Sequence, residues 1–285
     1  MKKYISLGLV FVAVLLIMAM IIRRSNDLEE VYDGFSQQVE HDNPPVSVNN
    51  IEQQEFRLEI PCNEDILEEY ILAKQSFTVS FNPKTIIPNW VAYELTADET
   101  DGPWTRKGLN FTPDPNYDGP QADHSDYKGS GYSRGHLAPA GDMKWDSVAM
   151  LESFYYTNCI PQDEKLNNGK WNQLEIKTRS WAQQYGKVFV VTGPVFYQSD
   201  TLRIGPHGIA VPHACFKALL AHKEIGYTSI AFVMRNGGET RSMSECAITV
   251  DELEALLGLD LFCNLPDELE ESVESKMVME DWIIR

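Results

Sequence analysis

The chain has no Cys-x-x-C pair. Its five cysteines stand singly at 62, 159, 215, 246 and 263, which argues against a zinc cluster. The odd count leaves at least one thiol unpaired, and one or two disulfides are compatible with the rest. Cys159 and Cys215, in apolar surroundings, are expected as buried free thiols. There is no internal repeat, so stacked or bladed repeat architectures are excluded. Base is scarce: 24 Lys and Arg face 42 Asp and Glu, a net charge of −18. Polyanions are held largely by neutralising their phosphates, so the average charge speaks against a nucleic-acid ligand. The distribution does not. Residues 1–24 carry +4, residues 25–75 carry −11, residues 76–243 only −1, and residues 244–285 carry −10. The acid excess sits in the flanks, where it favours solubility, and the near-neutral middle leaves room for a local basic groove.

One long apolar run is present. Ile5 to Ile22 is uncharged, with Lys2 and Lys3 before it and Arg23 and Arg24 after it. It exceeds a usual signal-peptide core and reaches the short end of a bilayer span. No small-x-small cleavage site precedes Arg23 and no lipobox-like cysteine follows. The run therefore reads as an uncleaved membrane anchor over 1–24, with the following domain on the non-cytoplasmic side, periplasmic or extracellular. Residues 25–75 are polar and acidic, broken at Asn43-Pro44-Pro45, and read as a tether holding a short helix near Glu64 to Ala73.

Beyond it, Phe77-Thr78-Val79-Ser80-Phe81 and Trp90-Val91-Ala92-Tyr93-Glu94-Leu95 read as strands. Residues 114–131 are rich in Gly, Pro, Asp and Asn, a long loop. Trp171, Leu174, Thr178, Trp181 and Tyr185 recur at helical spacing up to Gly186. Val188 to Val191 and Ser229 to Met234 are further strands. Thr249 and Glu252 have capping-box spacing and open a helix that stops at Gly258. Residues 266–285 read as a peripheral acidic tail.

The chemistry concentrates in Tyr132-Ser133-Arg134-Gly135-His136-Leu137-Ala138-Pro139-Ala140 and, downstream, in Asn158 and the segment Leu166 to Glu175. An arginine two residues from a histidine pairs a phosphate clamp with a group able to take a proton from water. A neutral amide at Asn167 and a carboxylate at Glu175 suit a cation that keeps most of its water, Mg²⁺ above all and Mn²⁺ as a substitute. Phosphodiester hydrolysis requires these parts. Asn167 alternatively caps a helix beginning near Gly169, and Arg134 alternatively forms a surface ion pair. Asn158 reads as an amide that fixes its loop. Should the leading candidates fail, His124 is the next base and Asp142 or Asp146 the next metal ligand.

Asp126-Tyr127-Lys128-Gly129-Ser130-Gly131-Tyr132 leads into Arg134-Gly135-His136-Leu137-Ala138. The series continues through Met150, Phe154-Tyr155, Asn158, Pro161-Gln162, Leu166-Asn167, Trp171-Asn172-Gln173-Leu174-Glu175 and Thr192-Gly193-Pro194. This ordered set resembles the sugar-nonspecific DNA/RNA endonucleases of the ββα-metal class, most of all the endonuclease G branch. Val211-Pro212 with Phe216-Lys217 resembles that family's next strand, so the similarity spans residues 76–265. The resemblance implies His136 as general base, Asn167 as the protein ligand of Mg²⁺, Arg134 as a phosphate contact, and Glu175 as a carboxylate ordering metal-bound water. It implies DNA or RNA as substrate and products with 5′-phosphate ends. A second family arginine aligns with Leu109, and Arg106 is the nearest substitute. Ser133 departs from the aspartate that usually opens the motif, and Thr157 replaces a serine before Asn158.

Residues and resemblance together predict an α+β fold: a mixed or antiparallel sheet core flanked by helices, carrying a ββα-metal motif and preceded by a transmembrane anchor. The expected partners are nucleic acid, the membrane through residues 5–22, a second copy in a homodimer, and an inhibitor protein. Two other classes compete: a tethered binding module that keeps the fold without turnover, favoured by Ser133, and an interaction module whose acidic flanks recruit a basic partner.

Overall fold

The computed structural model describes residues 57–62, 68–197 and 201–283. The run 5–22 and most of the 25–75 segment lie outside them. Strands β1 (Tyr70–Ala73), β2 (Thr78–Asn82) and β3 (Ile87–Thr96) form an antiparallel meander. A long loop, interrupted by the short helix α1 (His124–Tyr127), leads to β4 (Ser133–His136). Helix α2 (Ser147–Glu152) separates β4 from its antiparallel partner β5 (Cys159–Gln162). A helical turn, α3 (Glu164–Leu166), continues through a wide turn at Asn167–Trp171 into α4 (Asn172–Tyr185). Strand β6 (Lys187–Val195) re-enters the sheet. After a small two-stranded ribbon of β7 (Arg203–Ile204) and β8 (Ile209–Ala210), strands β9 (Ala214–His222), β10 (Tyr227–Arg235) and β11 (Ala247–Ile248) complete it. Helices α5 (Val250–Leu257) and α6 (Asp267–Glu274) close the chain.

The main sheet has the order β1-β2-β3-β6-β9-β10-β11, with every pairing antiparallel. This is the expected α+β class. β6 and β9 are buried on both faces, so they read as near-continuous apolar runs rather than alternating ones. On one face Tyr93, Val190, Leu219 and Phe232 pack against Leu174 and Trp181 of α4. On the other, Trp90, Val191, Ala218 and Ala231 pack against Val250 and Leu253 of α5 and Val273 of α6. The side-chain period of two divides each strand between these layers. The α4 stripe is buried at Leu174, Thr178 and Trp181, and Gly186, at φ +82°, ends the helix where a side chain would strain. Thr249 and Glu252 make the expected capping box, and Gly258 closes α5 in the left-handed region.

Two segments differ from expectation. Tyr70–Ala73 is an edge strand paired with β2 rather than helix, because partnering a sheet edge overrides a short helical spacing. Residues 266–283 are not peripheral. Val273 and Trp282 are buried, Trp282 stands edge-on to Trp181 at 5.1 Å, and Tyr185 Oη donates to the Asp281 carbonyl at 2.6 Å. Large apolar residues spaced among the acids were the signal for this packing. Among the described residues, no helix is long and apolar enough to cross a membrane.

A disulfide joins Cys62 to Cys263, 201 residues apart in sequence, while Cys159, Cys215 and Cys246 are free and buried. Closing so long a loop restricts the unfolded chain strongly. Replacing both Cys62 and Cys263 by serine is expected to lower the unfolding free energy by roughly 2–5 kcal/mol. Urea denaturation of the two proteins measures it, and superimposable curves would show that the bridge contributes nothing.

Candidate active site

β4 and β5 pair in register, His136 opposite Cys159, and the chain leaves β5 directly into α3. Arg134 and His136 lie on β4, Asn158 in the turn before β5, Asn167 in the wide turn after α3, and Glu175 in the first turn of α4. Asn158 fixes this arrangement. Its Oδ1 accepts from Ala138 N at 2.9 Å, while its Nδ2 donates to the carbonyls of Ala138 at 2.9 Å and Ser153 at 2.8 Å. All its donors and its acceptor are spent on backbone, which tethers the strand end after His136 to the turn before β5. Thr157 donates to Asp114 Oδ2 at 2.6 Å and ties the same turn to the long loop. Gly135 has no room for a side chain: a Cβ there would collide with Gln162.

The His136 ring lies 4.6 Å from Phe111 and edge-on to Phe154 at 4.8 Å. Its Nε2 is buried with no hydrogen-bond partner among the described residues. Burial, helped by the Arg106 charge, pushes its pKa down to about 3, so the imidazole is neutral and its lone pair is free. Arg134 spreads over the Phe111 ring at 5.8 Å and donates from Nη1 to His124 Nδ1 at 3.1 Å. It is therefore not engaged in an ion pair among the described residues, and His124 serves as its acceptor. Arg106 lies over the Phe154 ring at 5.6 Å. Both arginines, with Phe111, His124, Tyr132 and Ser133, line one open cavity of about 420 Å³. Ser133 makes no side-chain hydrogen bond there among the described residues. Leu109 also lines the cavity, and Arg106 supplies the second positive charge.

A stability consequence follows from the His136 environment. The unfolded chain takes up a proton near the ordinary value of ~6.5, whereas the folded chain refuses it until about 3. Stability is then lost as pH falls from ~6.5 toward 3, by up to ~1.4 kcal/mol per unit. Denaturant unfolding in EDTA at pH 7 and pH 4.5 should show a smaller acid loss in His136→Gln than in the parent. Equal losses would refute the desolvated imidazole.

Asn167 does not cap a helix N-terminus with its side chain. Asp163 does, its Oδ1 accepting from Lys165 N and Leu166 N at 3.0 Å. Asn167 instead opens the wide turn Asn167–Trp171, which Gly169 breaks at φ −107°, ψ −108°. Such widened turns recur at functional sites. They also displace the ideal helical angle between Asn167 and Glu175. Neither side chain makes a hydrogen bond or ion pair among the described residues, and both are half-buried. Burial pushes Glu175 up to about 7 against the pull of Lys217. Two hard oxygen donors without protein partners fit a Mg²⁺ ion that retains most of its water. The alternatives are occupied: Asp142 accepts from Arg179 Nη1 at 2.6 Å and Tyr93 Oη at 2.9 Å, and Asp146 caps α2.

Lys217 was not among the expected site residues. It is fully buried, with Nζ 5.5 Å from the Trp171 ring centroid and 5.8 Å from that of Tyr93, and burial holds its pKa down while Glu175 and Asp142 raise it. The signal was a lone charge in the apolar strand Ala214-Cys215-Phe216-Lys217-Ala218-Leu219.

Comparison with known proteins bears on the family and the fold. The human nuclease EXOG, mitochondrial, is 35% identical over 203 residues, covering 66% of this chain and 55% of its own length. Human endonuclease G, mitochondrial, is 31% identical over 200 residues, covering 66% of this chain and 67% of its own. The chain thus spans little more than half of the EXOG protein it matches. The solved structure of an EndoG/EndoGI complex, described as showing the mechanism of EndoG inhibition, has a TM-score of 0.69 over 80% of this chain and 96% of that one. At 23% identity this shows a shared fold.

These relatives correct the expected location. They are named as mitochondrial nucleases, and no helix among the described residues is able to span a bilayer. A membrane-anchored domain on the periplasmic or extracellular side is therefore not supported; the apolar run that suggested it lies outside the described residues. The sequence model of the DNA/RNA non-specific endonucleases matches residues 35–268, and the chain belongs to that family.

Proposed function

We propose that this chain is a Mg²⁺-dependent endonuclease that hydrolyses phosphodiester bonds of DNA and RNA without sequence preference and leaves 5′-phosphate ends. The observation that carries the reading is the His136 Nε2: a buried nitrogen of a neutral ring, without a partner among the described residues, beside a cavity lined by Arg106 and Arg134. Its lone pair accepts the proton of the attacking water. A phosphate entering the cavity brings negative charge that offsets Arg106, raising the imidazole's basicity as the reaction begins. Arg134, on Phe111, presents its remaining N–H donors to phosphate oxygens. Asn167 would hold the cation through its amide oxygen, and Glu175 would hold the surrounding water. When bound, Mg²⁺ supplies charge neutralisation at the scissile phosphate and the leaving oxygen. Backbone contacts and groove shape then set binding, with no base read directly.

Supercoiled plasmid DNA and a folded RNA, each incubated with the protein in Mg²⁺ or EDTA, provide the test. Nicking and then fragmentation in Mg²⁺ alone is expected, with DNA ends that ligase joins without prior phosphorylation. Binding of both nucleic acids without cleavage in Mg²⁺ or Mn²⁺ would turn the reading to a binding module on the same fold.

A further inference from the structure

The sheet face opposite His136 carries α5 and α6, and between them lies a group of carboxylates the nuclease reaction does not use. Asp251 and Glu254 of α5 and Glu274 at the end of α6 each bring an oxygen atom within 4.8 Å of the other two. Asp260, just beyond α5, and Glu270, one turn before Glu274, add negative charge to the same field. None of the five is in an ion pair among the described residues. Ordinary surface acids relieve such crowding by turning into water, and Glu274 does not. It is 3% exposed, and its Oε1 is buried without a hydrogen-bond donor among the described residues.

A buried carboxylate oxygen with no donor is costly to maintain, and four further carboxylates make it costlier. Something positive belongs beside it. A single ion coordinated at ~2.3–2.6 Å places its ligands no more than about 5 Å apart, which the three oxygens satisfy. All are hard oxygens, so zinc and softer metals are disfavoured. Asp251 is exposed and Glu254 half-buried, which leaves an open side for water ligands. One Glu254 oxygen is already held by Leu261 N at 2.6 Å, fixing that side chain in place. Six to eight oxygens in flexible geometry describe Ca²⁺ better than the strict octahedron of Mg²⁺.

We propose that Asp251, Glu254 and Glu274 form a Ca²⁺ site that clamps α6 onto α5. The clamp complements two existing attachments of this layer: the Cys62–Cys263 bridge in the connection between the helices, and Ser229 Oγ donating to the Val273 carbonyl at 2.9 Å. It lies across the sheet from the nuclease site and acts on stability.

The test uses the full-length protein stripped with EDTA and dialysed at pH 8.5. Equilibrium dialysis with radioactive Ca²⁺ should find one ion per chain that Asn167→Ala retains and Glu274→Gln and Glu254→Gln lose. Millimolar CaCl₂ should raise the parent's melting temperature by several degrees, and should raise neither glutamine variant's. In EDTA, Glu274→Gln should melt near the parent, since the amide keeps the size and shape of the side chain, which separates loss of the site from loss of the fold. Ca²⁺ uptake that vanishes only in Asn167→Ala, or a Ca²⁺ shift that persists in Glu274→Gln, would overturn the proposal. So would a melting temperature that rises on acidification but ignores Ca²⁺, which would mark the cluster as a shared-proton site.

Discussion

His136→Ala is expected to lower turnover by about 10²–10⁴-fold, the usual cost of losing a general base, while the affinity for uncleaved DNA in Ca²⁺ or EDTA changes by less than about threefold. The asymmetry follows from geometry. His136 Nε2 is buried and the ring is held between Phe111 and Phe154, whereas the positive charge that attracts phosphate comes from Arg106 and Arg134. Alanine removes the lone pair and leaves both guanidinium groups. Single-turnover cleavage and fluorescence-anisotropy binding on one labelled duplex separate the two terms. Added imidazole should restore part of the rate, because the vacated space between the rings matches the lost group. A variant that cleaves at near-normal rate would move the role to His124, which lines the same cavity. A variant that loses binding as severely as turnover would mean that the histidine shapes the cavity rather than accepting a proton.

The second large effect is expected at Asn167. Replacement by alanine should raise the Mg²⁺ concentration for half-maximal rate at least tenfold and lower the saturated rate by roughly 10²–10³-fold, the scale for losing a group that stabilises developing charge. Asn167→Asp retains an oxygen donor and should fall between alanine and the parent. Glu175→Gln should cost only about 10–100-fold, the range for a partner outside the first ring of ligands. The ranking is the discriminating result, since a helix-capping role for Asn167 would instead appear as lost stability with unchanged Mg²⁺ dependence. Asp163 already caps α3, so thermal melts of Asn167→Ala should stay near the parent. Rates measured across a Mg²⁺ series for the four proteins decide between the readings, and an unchanged Mg²⁺ dependence in Asn167→Ala would end the assignment.

Local periodicity made much of the fold legible. The α4 stripe from Trp171 to Tyr185, the capping box at Thr249 and the strands around Val79, Tyr93, Val190 and Phe232 each follow from spacing that a half-buried element imposes. Tyr70–Ala73 was read as helix because edge pairing with β2 is a non-local contact that no short window contains. Trp282 reads as tail because the eight positions of mixed polarity between Val273 and it hide a single large anchor. At the site, Arg134, His136, Asn167 and Glu175 are visible as residue types between positions 134 and 175, though not the elements that hold the first three. Lys217 is not, and Arg106 is offered only as a substitute for an unmatched family arginine: one arrives from a strand of the main sheet and the other from a loop, and only the folded chain brings their charges near Glu175. The cap at Asp163 was missed because the helix begins one turn earlier than Gly169 suggests, through a widened turn that propensity does not encode.

The edge-on packing of Trp282 against Trp181, with Tyr185 bonded to the Asp281 carbonyl, has a bearing on how the protein tolerates handling. Asp281 and Trp282 act as a doorstop for the helix whose first turn carries Glu175. Clipping by a protease after Glu274, or a purification tag crowded onto the C-terminus, would free that helix at its far end while leaving every residue of the reactive cavity intact. A preparation could then retain its sequence motif and lose its heat resistance. Tags belong at the other end, and an intact-mass measurement is the quality control that this wedge makes necessary.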